Sequence, residues 1–180
     1  MNDWYSASDS PELVEFGPVR GVGVTGLGEP AGTEHMAAIH TLYAVAAPLL
    51  ADALPALEGR WWVEDDRPPL TVPRSQWRWH LFLRLPESVE PARVDEARQA
   101  TGLNSAARVQ LVMFTEGRCV QVMHHGSYDD EPETLARMDA FMAKQGFVSN
   151  GLHHEIYLSD IAETDTAKMR TILRQPVRAA

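Results

Sequence analysis

The sequence is poor in cysteine and in long apolar segments. Its 180 residues contain one cysteine, Cys119, so an internal disulfide is impossible, and we predict that this lone thiol is a small core residue. No run approaches the about 18 consecutive apolar residues that a membrane span needs. The opening MNDWYSASDSPE is polar and acidic, unlike a signal peptide. We therefore expect a cytoplasmic protein without membrane contacts.

Positive charge is also scarce. Lysine and arginine total 16 against 25 acidic residues, which gives a net charge of -9. The two lysines, Lys144 and Lys168, leave little material for a basic face. Because an acidic surface repels a phosphate backbone, we expect no direct nucleic-acid partner.

Metal and nucleotide motifs are missing or incomplete. Four of the seven histidines form the adjacent pairs His124-His125 and His153-His154, whose members diverge if they lie on strands. No H-x-x-x-H or C-x-x-C spacing occurs. The G-x-G-x-x-G match in GVGVTGLG lacks the acidic residue expected on a second parallel strand. We predict no metal site and no cofactor.

Tryptophan, by contrast, is abundant and concentrated. Four of the five tryptophans are Trp61, Trp62, Trp77 and Trp79. On neighbouring strands, cross-strand partners lie about 5 Å apart, so these indoles can form a wall that holds flat or cationic molecules. The alternative is that Trp77 and Trp79 only fill the core. Trp61 and Trp62 are adjacent on a strand, so they face opposite sides.

The pattern of apolar residues predicts an α+β chain. Residues 1–12 lack periodicity and are expected to form a loose arm. Helical spacing predicts helices over 33–52, 91–102 and 130–146, the last with a capping box of Asp130 and Glu133. Alternation predicts strands over 13–25, 60–64, 77–85 and 152–159, and a β-hairpin of 108–114 and 118–124 joined by 115–117. The segment 169–177 fits a strand, although 167–173 also fits a helix.

The two halves of the chain carry a weak internal repeat. Arg20, Val22, Val24 and Gly28 match Arg118, Val120, Val122 and Gly126 at a constant offset, and the apolar helix stripe Met36, Ile39 and Leu42 matches Leu135, Met138 and Phe141. The alternative is a chance alignment of short apolar patterns. The repeat predicts one domain over 13–180, made of two strand-helix-strand-strand halves (about 13–86 and 105–180) joined by the helix at 91–102. Such halves place helices on one face of an antiparallel sheet, with a central ligand cleft where they meet.

Two segments hold residues suited to chemistry. In HHEIYLSD, alternation places His153, Glu155 and Tyr157 on one face of a strand. In a partly apolar cavity Glu155 could act as a general base on water or as a counter-charge to a cation; the alternative is a solvated strand face. In MHHGSYDDEP, the residues that form the turn and the start of the helix have structural roles, whereas Tyr128 has none. Tyr128 could close a cavity and donate a phenolic hydrogen bond.

Four segments together carry a family resemblance that extends from about residue 10 to the end. PALEGRWWVED, SQWRWHLFLRLPE, GRCVQVMHHGSYDDEP and NGLHHEIYLSD resemble the stand-alone branch of the GyrI-like small-molecule-binding family. The resemblance implies a tandem strand-helix-strand-strand (SHS2) fold around a ligand cleft. The family includes gyrase-inhibitory proteins and sensor domains for lipophilic cations, in which a glutamate at the position of Glu155 lies in an aromatic-walled pocket.

The same resemblance implies an activity. Members of the stand-alone branch hydrolyse cyclopropane-bearing DNA-alkylating natural products, which detoxifies them. On that basis we expect Glu155 and Tyr128 to be catalytic, with Tyr157 as the other possible phenolic donor, and no metal to take part. The expected ligand contacts are Trp61, Trp62, Trp79, Tyr157, His124 and His153. The alternative is a protein that binds lipophilic ligands, or modulates gyrase, without turnover. Under either function we expect a monomer or a homodimer.

Overall fold

A computed structural model describes residues 3–50 and 54–180, which fall into two compact units. We call Val19–Phe114 the central unit, and Met1–Pro18 together with Thr115–Ala180 the terminal unit.

The central unit is an antiparallel sheet with two helices. Its strands are β1 (Glu12–Leu27, from Val19 onward), β2 (Leu57–Trp62) and β3 (Arg78–Arg84), and its helices are α1 (Thr33–Ala46) and α2 (Pro91–Ala100). β3 is the middle strand, pairing with β1 from Gly21↔Arg84 to Leu27↔Arg78 and with β2 from Glu58↔Phe82 to Trp62↔Arg78. The helix predicted to join the repeats, α2, falls within this unit.

Glycines on β1 make room for large side chains of β3. A Cβ atom at Gly23 would overlap the His80 ring, and one at Gly26 would overlap the Trp79 ring. Both rings therefore lie directly against the β1 backbone. The Gly-rich strand allows close packing, as its missing side chains predicted.

Helix α1 is shorter and rotated relative to the prediction. It ends at Ala46, and Ala47–Leu49 forms a 3-10 turn containing Pro48, which has no N–H to continue the α-helix. Residues 51–53, the predicted end of the helix, lie outside the described residues. Met36 was expected in the buried stripe but is 42% exposed, and His35 is buried instead.

In the terminal unit, three strands pair with β7. It contains β4 (Gln110–His125, from Thr115 onward), α3 (Glu131–Gln145), β5 (Phe147–Ser149), β6 (His153–Tyr157) and β7 (Arg170–Ala179). β7 runs antiparallel to β4, β5 and β6, which resolves the helix-or-strand alternative for this segment. One core cluster of this unit consists of Val120, Val122, Met138, Met142, Leu173 and Val177. The α+β class with antiparallel pairing is confirmed.

Two local predictions are wrong. The expected hairpin is one continuous strand, β4, in which the left-handed backbone of Gly117 (φ 67°) is accommodated without reversing the chain. Asp130 makes no side-chain cap to α3; its Oδ2 instead accepts a hydrogen bond from Ser127 Oγ at 2.7 Å. The helix does end at Gly146 in the left-handed conformation (φ 72°), as predicted.

The N-terminal arm is anchored to the terminal unit, where the sequence suggested a loose segment. Trp4 is 6% exposed, and the Arg174 guanidinium lies 4.5 Å from the centre of a Trp4 ring. Arg174 Nη2 also donates to the Trp4 carbonyl at 2.8 Å, and the Met123 amide donates to the Ser8 carbonyl at 2.8 Å. The sequence lacked periodicity here because the arm is held by single anchoring contacts rather than by a repeating face. Within the described residues, no helix is long and apolar enough to cross a membrane.

Candidate functional site

Strand β6 carries a carboxylate with two polar neighbours. The Tyr157 hydroxyl donates to Glu155 Oε2 at 2.6 Å, and His153 Nε2 lies 3.4 Å from Glu155 Oε1. The Glu155 side chain is 14% exposed, so it is largely withdrawn from water. The three residues share one face of β6, as the alternation predicted, while His154 and Ile156 are fully buried on the other face.

Tyr128 lies beside this carboxylate. It begins the 3-10 turn Tyr128–Asp130 that leads into α3, and its ring meets the Tyr157 ring edge to face, with centroids 5.8 Å apart. Burial, followed by the charges of Glu131 and Glu155, raises the pKa of Tyr128 to about 12. The phenol therefore keeps its proton at neutral pH and is suited to donate a hydrogen bond rather than to accept a proton.

Glu131 is a second carboxylate in this region, and sequence reasoning missed it. It is the first residue of α3, is buried, and acts electrostatically on Tyr128. The sequence pattern in this stretch predicts only the beginning of a helix. The available signal was the three-residue spacing from Tyr128, which is close to one helical turn. We call His153, Glu155, Tyr157, Tyr128 and Glu131 the carboxylate cluster.

His124 is bound on both ring nitrogens. Its Nδ1 is 2.9 Å from Thr134 Oγ1 in α3, and its Nε2 is 2.9 Å from the Ser127 carbonyl. The ring is 2% exposed. These contacts tie the end of β4 to α3 and to Ser127, the residue before Tyr128, so His124 helps to fix the turn that carries Tyr128.

One side chain on the buried face of β6 contacts a residue of β4. His154 Nδ1 lies 3.2 Å from Glu116 Oε1, and both side chains are almost completely buried. Cys119 is fully buried nearby, as expected for a core residue. Its burial raises the pKa of the thiol, which keeps it protonated and unsuited to nucleophilic attack.

The central unit holds a separate aromatic group. Trp61 and Trp79 are direct cross-strand partners on β2 and β3, with exposures of 8% and 0%, and Trp77 meets Trp61 edge to face at 6.1 Å. The His35 ring contacts both Trp61 (5.4 Å) and Trp79 (5.3 Å). Trp62, on the opposite side of β2, is half-buried. We call His35, Trp61, Trp77 and Trp79 the tryptophan cluster.

The structure thus places the predicted site residues in two groups, one in each unit. Tyr128, His153, Glu155 and Tyr157 come together in the terminal unit, and His124 contacts the carbonyl of Ser127 next to Tyr128. Trp61 and Trp79 come together in the central unit, where Trp79 has no exposed surface. Among the residues that the structure describes, no group of three or more histidine, cysteine or acidic side chains is arranged to hold a metal ion.

Comparison with known proteins identifies relatives over nearly the whole chain. Residues 9–178 match the family model described as the GyrI-like small molecule binding domain. No protein of curated function matches the sequence. An uncharacterized conserved protein from Listeria innocua is 34% identical with a TM-score of 0.89, and a hydrolase from Listeria innocua is 33% identical with a TM-score of 0.86; in both, the match covers 97% of this chain and 95% of the other.

A more distant structure shares the fold alone. SAV2435 bound to tetraphenylphosphonium is 14% identical with a TM-score of 0.55, and the match covers 94% of both chains.

Proposed function

Because this chain belongs to the GyrI-like small-molecule-binding domain family, we propose that it binds flat lipophilic or cationic molecules and hydrolyses cyclopropane-bearing DNA-alkylating toxins. The observation that carries the proposal is the desolvated Glu155 carboxylate, oriented by the Tyr157 hydroxyl at 2.6 Å. The two related structures from Listeria innocua, one of them a hydrolase, support an enzymatic role for this branch of the family.

Glu155 is the proposed general base. Its Oε2 accepts a hydrogen bond from the Tyr157 hydroxyl, which fixes the plane of the carboxylate. Oε1, on the side of His153, takes a proton from a water molecule as the water oxygen attacks the cyclopropane methylene. Positioning by a fixed carboxylate converts this attack into a step between pre-arranged groups.

The electron pair of the breaking carbon–carbon bond must go to the substrate. In a cyclopropyl-dienone, ring opening delivers these electrons to the dienone oxygen and leaves a phenolate. Tyr128 donates a hydrogen bond to this oxygen as negative charge develops. A proton returned from Glu155 through solvent then gives a phenol and a primary alcohol, so one water has been added.

The raised pKa of Tyr128 suits this role. At about 12, it exceeds the value near 10 of an ordinary phenol, so Tyr128 stabilises the product phenolate without surrendering its own proton. The Tyr157 hydroxyl already donates a hydrogen bond to Glu155, which makes Tyr128 the better candidate of the two phenols.

The aromatic residues supply the binding surface in this proposal. In the central unit, Trp61 offers a stacking surface for a flat ligand and Trp79 supports it from the core. Trp62 faces the other side of β2, so it does not stack on the same ligand. In the terminal unit, His153 borders the base. His124 acts by holding the turn of Tyr128. A protein that binds lipophilic cations without turnover is the second candidate, favoured by the two carboxylates, Glu131 and Glu155, that act on Tyr128.

The test combines turnover and binding. Purified protein is incubated with a cyclopropyl-dienone alkylator, and the ring-opened alcohol is measured by mass spectrometry for wild type, Glu155→Gln and the exposed-residue control Glu133→Gln. We expect Glu155→Gln to lower kcat by about 100-fold or more, with substrate affinity nearly unchanged, because general-base catalysis contributes about 100- to 10,000-fold. Glu133→Gln retains wild-type turnover.

Each other outcome has a definite meaning. If wild type forms no alcohol yet binds tetraphenylphosphonium, hydrolysis of that substrate is excluded and the non-catalytic binder is favoured. Equal turnover by wild type and Glu155→Gln removes Glu155 from the mechanism.

A further inference from the structure

His35 has a defined proton position. It lies in the first turn of α1 with 3% exposure, and its Nδ1 accepts a hydrogen bond from the Ala31 backbone N–H at 3.3 Å. A nitrogen that accepts an N–H carries no proton of its own, so the neutral ring has its hydrogen on Nε2.

The same hydrogen bond stabilises an unusual loop. Ala31 adopts a left-handed backbone conformation (φ 59°), which is unfavourable for a residue with a Cβ. The Gly32 amide completes the turn by donating to the Glu29 carbonyl at 3.1 Å. His35 thus connects the loop before α1 to the side chains beneath that helix.

Beneath the helix, the imidazole lies between two indoles. Its ring is tilted by 31° to Trp61 and by 85° to Trp79, with centroids 5.4 and 5.3 Å apart. Trp79 is closely packed, since it is fully buried and lies against Gly26. The His35 ring is tilted by 31° to Trp61, contacts the closely packed Trp79 and is hydrogen-bonded to the backbone loop, so it restricts the orientations open to Trp61.

We propose that His35 is a positioning residue for Trp61, whose indole it holds at the angle at which the protein binds flat aromatic ligands. This inference rests on the proposed function only in taking Trp61 as a ligand contact. His35 acts on binding rather than on the chemical step, because the proposed base and hydrogen-bond donor, Glu155 and Tyr128, belong to the carboxylate cluster.

Two substitutions separate the ring of His35 from its acceptor nitrogen. His35→Phe keeps a ring beside Trp61 and loses the acceptor for Ala31, whereas His35→Asn keeps an acceptor and loses the ring. His40, exposed on the same helix, provides the matched controls His40→Phe and His40→Asn. Thermal unfolding and far-ultraviolet circular dichroism of each variant verify that it is folded.

The probe is tetraphenylphosphonium, measured by calorimetry, together with kcat and KM on the cyclopropyl-dienone. We expect His35→Asn to weaken binding and raise KM about 3- to 10-fold, the value of one aromatic pair, with kcat within about twofold of wild type. His35→Phe restores most of the affinity. Near-ultraviolet circular dichroism of the tryptophans changes in His35→Asn and in neither His40 variant.

The outcomes distinguish this inference from the proposed function. If wild type neither binds the probe nor turns over substrate, the proposed function fails, while an altered near-ultraviolet spectrum in His35→Asn that His35→Phe restores still supports positioning of Trp61. Wild-type affinity and spectrum in His35→Asn would overturn the inference. Long-range ¹H–¹⁵N correlation of the wild-type imidazole provides a test that needs no variant: a proton on Nε2 is expected, and a proton on Nδ1 contradicts the geometry.

Discussion

At the scale of single residues, Tyr128 offers a direct measurement of how burial sets the role of a phenol. Its pKa is raised from 10.0 to about 12, first by burial and then by Glu131 and Glu155. We expect the difference in phenolate absorbance between wild type and Tyr128→Phe to titrate with a midpoint near 12. Glu155→Gln removes one of the three causes and lowers that midpoint. A midpoint at 10 would show that the ring is open to solvent.

The same shift predicts a pH dependence of stability. Below pH 10 the phenol is protonated in both the folded and the unfolded chain, so the full stability is present. As the pH rises from 10 toward 12, the unfolded chain releases this proton while the folded chain retains it, which favours unfolding. Chemical denaturation across this window should therefore show a steeper loss of stability in wild type than in Tyr128→Phe.

The sequence predicts the arrangement of some of these side chains but not of others. Strand alternation is enough to place Glu155 and Tyr157 on one face, because a period of two is a local property of the backbone. It cannot indicate that Glu131 and His35 are buried, since both belong to polar first turns of helices whose burial depends on what packs against them. A sequence pattern identifies faces, whereas the fold decides which polar residues those faces enclose.

At the scale of secondary-structure elements, β1 contains two glycines with opposite expected responses to substitution. An alanine Cβ at Gly26 would overlap the Trp79 ring, whereas one at Gly17 meets nothing within 4 Å, and neither glycine has a left-handed backbone. We expect Gly26→Ala to lower the free energy of unfolding by about 1–3 kcal/mol or more through overpacking. Gly17→Ala should change it by less than about 0.5 kcal/mol. Urea denaturation measures both, and equal effects would contradict the tight fit of Trp79.

Strand β4 shows where local patterns mislead. Glu116 and Gly117 between two alternating runs are typical of a hairpin turn, and Gly117 does adopt a positive φ. The chain nevertheless continues in one direction, and Cys119 to His125 pair with β7. Turn chemistry specifies a local backbone angle, but long-range pairing with β7 decides whether the strand reverses or only bends.

At the scale of the whole molecule, the amino-acid composition gives the net charge, and the order of residues along the chain predicts the repeated succession of strands and helices. The succession strand, helix, strand, strand occurs as β1, α1, β2 and β3 and again, with the short β5 added, as β4, α3, β6 and β7. The sequence does not predict that the N-terminal arm is anchored, because Trp4 is held by the guanidinium of Arg174, which is far away in the sequence. Composition constrains such long-range contacts only weakly.

The net charge of -9 leads to a last prediction about how ligands reach the protein. A negative field raises the local concentration of cations, and salt screens it, with a Debye length of about 30 Å at 0.01 M and about 8 Å at 0.15 M. We expect the association rate of tetraphenylphosphonium, followed by stopped-flow tryptophan fluorescence, to fall several-fold between these salt concentrations. Triphenylphosphine oxide, a neutral aromatic of similar build, should associate at a rate that salt does not change. If both ligands respond alike, the charge of the chain does not steer cations, and selection for them must come from contacts made after binding, above all with the carboxylate cluster.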